Sequence, residues 1–101
     1  MKHEIIFAPE AIDDRKRLSA RDRSSITAGI ETHLRFEPEK ISKSRIKRLK
    51  DLSHPQYRLR FGDFRIFYDI EEGIVIVLSI VPKSHAQEWL ENYGEFDDEN
   101  G

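Results

Sequence analysis

The sequence predicts an α+β domain in which a pair of helices packs on one small, twisted and mainly antiparallel sheet. Two observations lead to this prediction. An alternating run from Tyr57 to Ile70 is divided by Gly62-Asp63, as in a tight β-hairpin. Apolar residues recur at helical spacing between Ile26 and Leu34. With the remaining apolar segments, the predicted element order is β-α-α-β-β-β-α.

The N-terminal third of the chain is predicted to form a strand and a helical hairpin. The strand covers residues 2–7, and a helix follows from Pro9 to about Leu18, because proline suits a first helical turn. A short break separates it from a second helix, so we expect the two helices to lie together on the sheet. One face of that helix is apolar and contains His33, which we interpret as a packing residue. The members of this face are Ile26, Gly29, Ile30, His33 and Leu34.

The predicted hairpin separates apolar from basic side chains, because successive strand residues point to opposite faces. Arg58, Arg60 and Arg65 share one face. If Gly62-Asp63 is the whole loop, Arg60 lies directly opposite Arg65, where like charges cost stability. We therefore interpret these arginines as a binding site for an anion.

An apolar, β-branched segment, Ile74 to Val81, is predicted to be a central strand that is buried on both sides. A three-residue turn before it would pair Ile70 with Ile74, and hence Arg65 with Ser79. A C-terminal helix is then predicted from Lys83 to about Tyr93.

Phe67 falls on the arginine side of the predicted sheet, and this register would place Val75 and Val77 beside it. Such a mixed face would stack nucleobases or dock an amphipathic peptide, or it would be covered by Trp89 of the C-terminal helix.

The net charge of −2 conceals a basic block. Nine lysines and arginines lie between residues 40 and 65, against Asp51 and Asp63. Such a block indicates a nucleic acid or another polyanion as partner, although a solvated lysine-rich loop is the alternative for its first part. The basic stretch up to Leu52 is predicted to be mainly loop. The nine basic residues of this block are Lys40, Lys43, Arg45, Lys47, Arg48, Lys50, Arg58, Arg60 and Arg65.

The expected organisation of the chain is one domain over residues 1–94 and an acidic, disordered tail over residues 95–101.

Several classes of protein are not expected. The chain has no cysteine, and its four histidines, His3, His33, His54 and His85, lack the spacing of metal ligands, so no metal or cofactor is expected. No apolar run is long enough to cross a membrane, and no signal peptide is visible, which predicts a cytoplasmic protein without a membrane partner. His54 lies beside Pro55 in a predicted turn and is expected to be solvated.

Three guanidinium groups on one face suit phosphate, because they stay charged and offer several donors. His85 follows the last strand and would reach the rim of this face, where it would move protons. The chemistry that this best supports is metal-free RNA cleavage, in which the substrate 2′-OH attacks the adjacent phosphate and the arginines stabilise the added charge. A surface residue at a helix start is the alternative reading of His85.

The chain resembles the RelE/ParE superfamily of toxin–antitoxin toxins over residues 4–93. The resemblance lies in the element order and in three motifs: Ile46-Lys47-Arg48-Leu49, Tyr57-Arg58-Leu59-Arg60-Phe61 and Phe64-Arg65-Ile66-Phe67-Tyr68. It implies a RelE-like two-layer fold and, for the RelE branch, a ribosome-dependent mRNA endonuclease. It further implies that Arg58, Arg60 and Arg65 contact the scissile phosphate. The basic residues near the motifs, with Ser84, are expected to bind phosphate: Lys47, Arg48, Lys50, Lys83 and Ser84.

The C-terminal part departs from the RelE pattern, since Ser84 and Leu90 stand where that branch has an arginine and a tyrosine. His85 or Tyr93 would have to replace them. Two alternatives therefore remain: a ParE-like inhibitor of DNA gyrase and a non-catalytic RNA-binding relative. The resemblance implies a cognate antitoxin as partner, the ribosome and mRNA as targets, and operator DNA bound only by the toxin–antitoxin complex.

Overall fold

The computed structural model describes residues 2–97 and contains three α-helices and seven strands in that range. Met1 and residues 98–101 lie outside the described residues, and so does that part of the predicted acidic tail. Within the described range, no helix is long and apolar enough to span a membrane. The elements are β1 (Glu4–Phe7), α1 (Pro9–Arg17), α2 (Ala20–Leu34), β2 (Ile46–Arg48), β3 (Leu52–His54), β4 (Tyr57–Phe61), β5 (Phe64–Glu71), β6 (Ile74–Pro82), a 3₁₀ turn (Lys83–His85), α3 (Ala86–Tyr93) and β7 (Glu95–Phe96).

The main sheet has five strands in the order β1-β6-β5-β4-β2. β1 runs parallel to β6, and the other neighbours are antiparallel. A second, two-stranded sheet joins β3 to β7. The predicted α+β fold with a mainly antiparallel sheet is confirmed. The apolar strand β6 lies between β1 and β5, as its continuous hydrophobicity predicts.

One face of the main sheet is covered by the helical hairpin. Ser19 caps α2 by accepting a hydrogen bond from the backbone N–H of Asp22 (3.1 Å). Gly29 lets α2 approach the sheet closely, because a Cβ at this position would lie 2.5 Å from a ring carbon of Phe61. His33 lies near the same ring, with the ring centroids 6.3 Å apart, in keeping with a packing role. The buried core here consists of Ala11, Ile26, Ile30, Leu34, Ile46, Leu59, Ile66, Tyr68, Val75, Val77 and Ile80.

The other face of the sheet is covered in part by α3. Its Trp89 stacks on Phe67 with the ring centroids 4.8 Å apart and the ring planes 5° from parallel. Ala86 and Leu90 of the same helix pack against this second core, whose buried members are Leu49, Leu52, Phe67 and Val81. Of the three predicted environments for Phe67, cover by Trp89 is therefore the one observed.

The predicted pairing of β5 with β6 is wrong. The turn consists of two residues, Glu72 and Gly73, which both have positive φ, so Glu71 rather than Ile70 pairs with Ile74. A bulge at Leu78 then shifts the register once more.

Because of these two shifts, Arg65 lies opposite Val81 instead of Ser79, which pairs with Phe67. Val75 and Val77 belong to the helix-covered core and not to the side of Phe67.

The structure also adds strands where the sequence predicted loop and tail. β2 and β3 lie within the predicted basic loop, and β7 lies within the predicted disordered tail. β7 is held by pairing with β3 and by a hydrogen bond from the N–H of Asp97 to the carbonyl of Asp51 (2.9 Å). The ordered structure therefore extends past the predicted boundary at residue 94.

Candidate functional site

The β4–β5 hairpin brings three arginines to the sheet face that lies away from the helical hairpin. Arg60 pairs directly with Arg65, and Phe61 with Phe64, across the two-residue loop. Gly62 occupies the first loop position with φ 56°, a conformation that glycine adopts without strain. The predicted juxtaposition is confirmed, and we call the surface formed by Arg58, Arg60 and Arg65 the arginine face.

The charge of the arginine face is not balanced by carboxylates. None of its three guanidinium groups forms an ion pair with a described residue. Arg65 donates from Nη1 to the carbonyls of Gly62 and Phe64 (2.9 Å each), which holds it against the hairpin turn. The Nε atom of Arg58 is buried and has no hydrogen-bond partner in the described chain. A buried donor without a partner is costly.

The pKa shifts of Arg58 and Arg65 also indicate an excess of positive charge at the arginine face. Burial lowers the pKa of the Arg58 guanidinium, and the charges of Arg65 and Arg60 lower it further. Burial likewise lowers the pKa of Arg65, together with the charge of Arg60, and Asp63 offsets only part of this effect. The folded chain thus holds these cations together against their mutual repulsion.

The basic residues of β2 divide between the two faces of the sheet. Lys47 pairs directly with Arg58, so it extends the arginine face by one strand. Arg48 pairs with Tyr57, lies 5.2 Å above that ring, and donates to the carbonyl of Gln56 (2.7 Å). Lys50 follows β2 and is exposed. Only Lys47 of these three is placed on the arginine face by strand register.

Lys83 stands beside the hairpin turn, close to the arginine face. Its backbone N–H donates to the carbonyl of Asp63 (2.8 Å), and its Nζ lies 3.9 Å from the carboxylate of that residue. Ser84 is exposed in the 3₁₀ turn that follows.

His85 lies in the 3₁₀ turn that follows β6. It lines a cavity between α1 and α3, with Arg17, Trp89 and Tyr93. None of the three arginines lines that cavity, but Val81, which pairs with Arg65, does. The approach of His85 to the rim of the arginine face stays a prediction.

A contact that sequence reasoning missed joins His54 to Asp69. The Nδ1 atom of His54 lies 2.5 Å from a carboxylate oxygen of Asp69, whose other oxygen accepts from the N–H of Gln56 (2.8 Å). Asp69 is buried in the middle of β5, so His54 is anchored rather than simply solvated. A single carboxylate within the apolar run of β5 was the available signal, because such a group needs a buried partner.

The described residues contain no group of three or more His, Asp or Glu side chains placed to hold a metal ion. The three guanidinium groups of the arginine face are suited to binding an anion.

Solved structures with a similar fold come from toxin–antitoxin systems. A chain of the archaeal RelE–RelB complex from Pyrococcus horikoshii aligns with TM-score 0.66 and 19% identity, covering 82% of this chain and 97% of that one. A chain of the RelBE2 complex from Mycobacterium tuberculosis aligns with TM-score 0.61 and 20% identity, covering 81% of this chain and 99% of that one. The isolated RelE toxin of Escherichia coli aligns with TM-score 0.58 and 18% identity, covering 87% of this chain and 98% of that one. At these identities the likeness establishes the fold alone.

No curated protein sequence matches the chain. A family model does match: it describes the ParE toxin of the type II toxin–antitoxin system parDE, and it covers residues 5–87. This range includes both helices of the hairpin, all five strands of the main sheet and the whole arginine face. The chain therefore belongs to the ParE toxin family, within the RelE/ParE superfamily of toxin–antitoxin toxins.

Proposed function

We propose that this toxin is a ribosome-dependent endoribonuclease that cleaves mRNA at the arginine face. The observation that carries the proposal is the uncompensated charge of that face. Arg58 holds a buried Nε without a described partner, and Arg60 is fixed opposite Arg65 by the hairpin register. A phosphate diester placed at this face would relieve the repulsion between the guanidinium groups. Lys47, directly opposite Arg58, would contact the neighbouring stretch of RNA backbone.

The reaction that fits this face uses the 2′-hydroxyl of the substrate as nucleophile. The 2′-oxygen attacks the adjacent phosphorus and loses its proton, while the bond from phosphorus to the 5′-oxygen breaks and that oxygen gains a proton. The products are a 2′,3′-cyclic phosphate and a 5′-hydroxyl end. Arginines act on this step by stabilising the extra negative charge that develops on the phosphoryl oxygens.

The proposed ribosome dependence is supported by the composition of the arginine face. Guanidinium groups do not lose their proton in proteins, so this face offers charge but no general base. Proton transfer would then fall to water or to groups that the ribosome supplies around the mRNA. The chain would provide charge and position, and the bound target would complete the site.

The proposed partners are an antitoxin, the ribosome with its mRNA, and operator DNA only as part of a toxin–antitoxin complex. An antitoxin partner is supported by the similar structures that are themselves RelE–RelB complexes. Its proposed role is to cover the arginine face and so prevent access of RNA.

Inhibition of DNA gyrase is the second candidate function. It is supported by the match to the ParE family model. In that case the chain would act by binding, and the arginine face would contact gyrase or the DNA that it holds.

A programmed-ribosome assay tests the nuclease proposal directly. Ribosomes carrying one defined mRNA are incubated with the toxin, and the RNA ends are mapped. We expect cleavage of the normal mRNA and none when the nucleotide before the cut carries 2′-deoxyribose. Arg60→Gln should lose cleavage, whereas Arg21→Gln, a change at an exposed arginine on α2, should retain it. Cleavage of the deoxy substrate would refute the mechanism, and intact mRNA throughout would favour gyrase as target.

A further inference from the structure

A groove runs between α1 and α3, apart from the arginine face. It consists of two adjoining cavities of about 710 and 600 Å³ that share Asp14, Arg17, Trp89 and Tyr93 along their walls. Neither cavity is lined by a residue of the arginine face. We call it the α1–α3 groove.

The floor of the groove is the edge of a strand. β1 pairs with β6 only as far as Val77, so the rest of β6 has no strand neighbour on that side within the described chain. Asp14 of α1 takes up part of this edge, accepting from the Oγ of Ser79 (2.7 Å) and the N–H of Ile80 (2.9 Å). Because Asp14 already accepts from the N–H of Ile80 and Pro82 has no N–H, an extended peptide on this floor would be held mainly by contacts of its side chains with the walls.

His54 contributes its ring to the wall of the groove. Its Nδ1 is held by the buried carboxylate of Asp69, and its ring lines the groove with 43% of the side chain exposed. Its Nε2 atom has no hydrogen-bond partner among the described residues.

The walls add negative charge and aromatic faces. Glu10 and Asp13 of α1 are exposed on the groove and form no ion pair with a described residue. Trp89 lies 5.7 Å from Tyr93, centroid to centroid, and 68% of Tyr93 is exposed. The one arginine in the groove, Arg17, is offset by Asp14 at 3.4 Å.

The carboxylates and the aromatic rings of the groove share one chemical preference, because both attract cations. A metal ion is a poor fit, since the described residues offer no group of three metal-ligating side chains here. A flexible cationic side chain fits better: its stem packs on Trp89 while its head reaches the carboxylates of Glu10 and Asp13.

We propose that the α1–α3 groove binds a basic, extended segment of a partner protein. Arginine or lysine side chains of that segment meet Glu10, Asp13 and the ring pair Trp89–Tyr93. Apolar side chains between them enter the second cavity, where Leu18, Phe64 and Ile80 line the floor. This proposal stands independently of RNA cleavage, because the two surfaces share no residue.

Trp89 makes the test direct, because it is the only tryptophan and it lines both cavities. The probe is a six-residue peptide of alternating arginine and leucine, added while tryptophan fluorescence is recorded. We expect a saturable change for the wild type. The double variant Glu10→Gln, Asp13→Asn should raise Kd at least tenfold. The matched control is Glu71→Gln, Glu72→Gln, which removes the same charge from an exposed turn outside both cavities and should leave Kd unchanged.

Other arms of the experiment define its failure. His54→Phe should weaken the peptide about threefold, while Arg60→Gln should leave peptide binding intact even though it abolishes RNA cleavage. Free arginine amide should bind far more weakly than the peptide. Three results overturn the proposal: no saturable change at millimolar peptide, equal losses in the double variant and its control, or equal binding of arginine amide and peptide. Circular dichroism of each variant excludes unfolding as the cause of a loss.

Discussion

Replacing Arg60 by glutamine should make the toxin more stable while it removes function. Arg60 lies directly opposite Arg65, and its charge lowers the pKa of both Arg65 and Arg58. Like charges placed directly opposite each other on a sheet are destabilising by roughly 0.2–1 kcal/mol. Two unit charges about 6 Å apart repel by about 0.7 kcal/mol in water, which agrees with that range.

The expected gain of about 0.5–1 kcal/mol corresponds to a rise in Tm of about 2–8 °C for a domain of this size. Thermal unfolding is followed by circular dichroism at low ionic strength, with Arg21→Gln as the control. Adding phosphate should narrow the difference, because an anion bound to the native wild type stabilises it. If the Tm of Arg60→Gln is equal to or below the Tm of Arg21→Gln, repulsion between Arg60 and its neighbours does not destabilise the folded state.

Three further substitutions test the packing around the site. Burial and the charge of Arg45 lower the pKa of His33, so the unfolded state binds the proton more readily than the folded state does. The free energy of unfolding should therefore be highest above the unfolded pKa of about 6.5 and should fall as the pH drops through the pKa of the folded state. His33→Gln should make this fall smaller in urea titrations. Gly29→Ala should lower the free energy of unfolding by about 1–3 kcal/mol in the same assay, because its Cβ would overlap the Phe61 ring. Asp69→Asn should lower the free energy of unfolding by about 1–3 kcal/mol, because the buried partner of His54 loses its charge. An unchanged denaturation midpoint would contradict this prediction.

The arginine face was predictable because its geometry is local. Gly62-Asp63 limits the loop to two residues, and the alternation on either side then determines which side chains share a face. The register of β5 with β6 was not predictable in this way. The bulge at Leu78 adds one residue to one strand, and the alternation of an apolar strand contains no signal for it.

The remaining differences from the sequence predictions concern contacts between distant parts of the chain. β7 has only two residues, Glu95 and Phe96, and it pairs with β3, which lies more than 40 positions earlier in the chain. The pair of His54 and Asp69 joins positions 15 residues apart, and the position of His85 depends on where β6 ends. Sequence patterns within a short window indicate which residues share a face of a helix or strand. They do not indicate which of these faces pack against each other in the fold.

The central claim, RNA cleavage at the arginine face, is tested most directly by mapping mRNA 5′ ends in translating cells during controlled expression. The account predicts new ends in phase with codons for the wild type and for Arg21→Gln, and their loss in Arg60→Gln at equal protein level. Growth arrest with intact mRNA and an induced DNA-damage response would contradict it and indicate gyrase as the target.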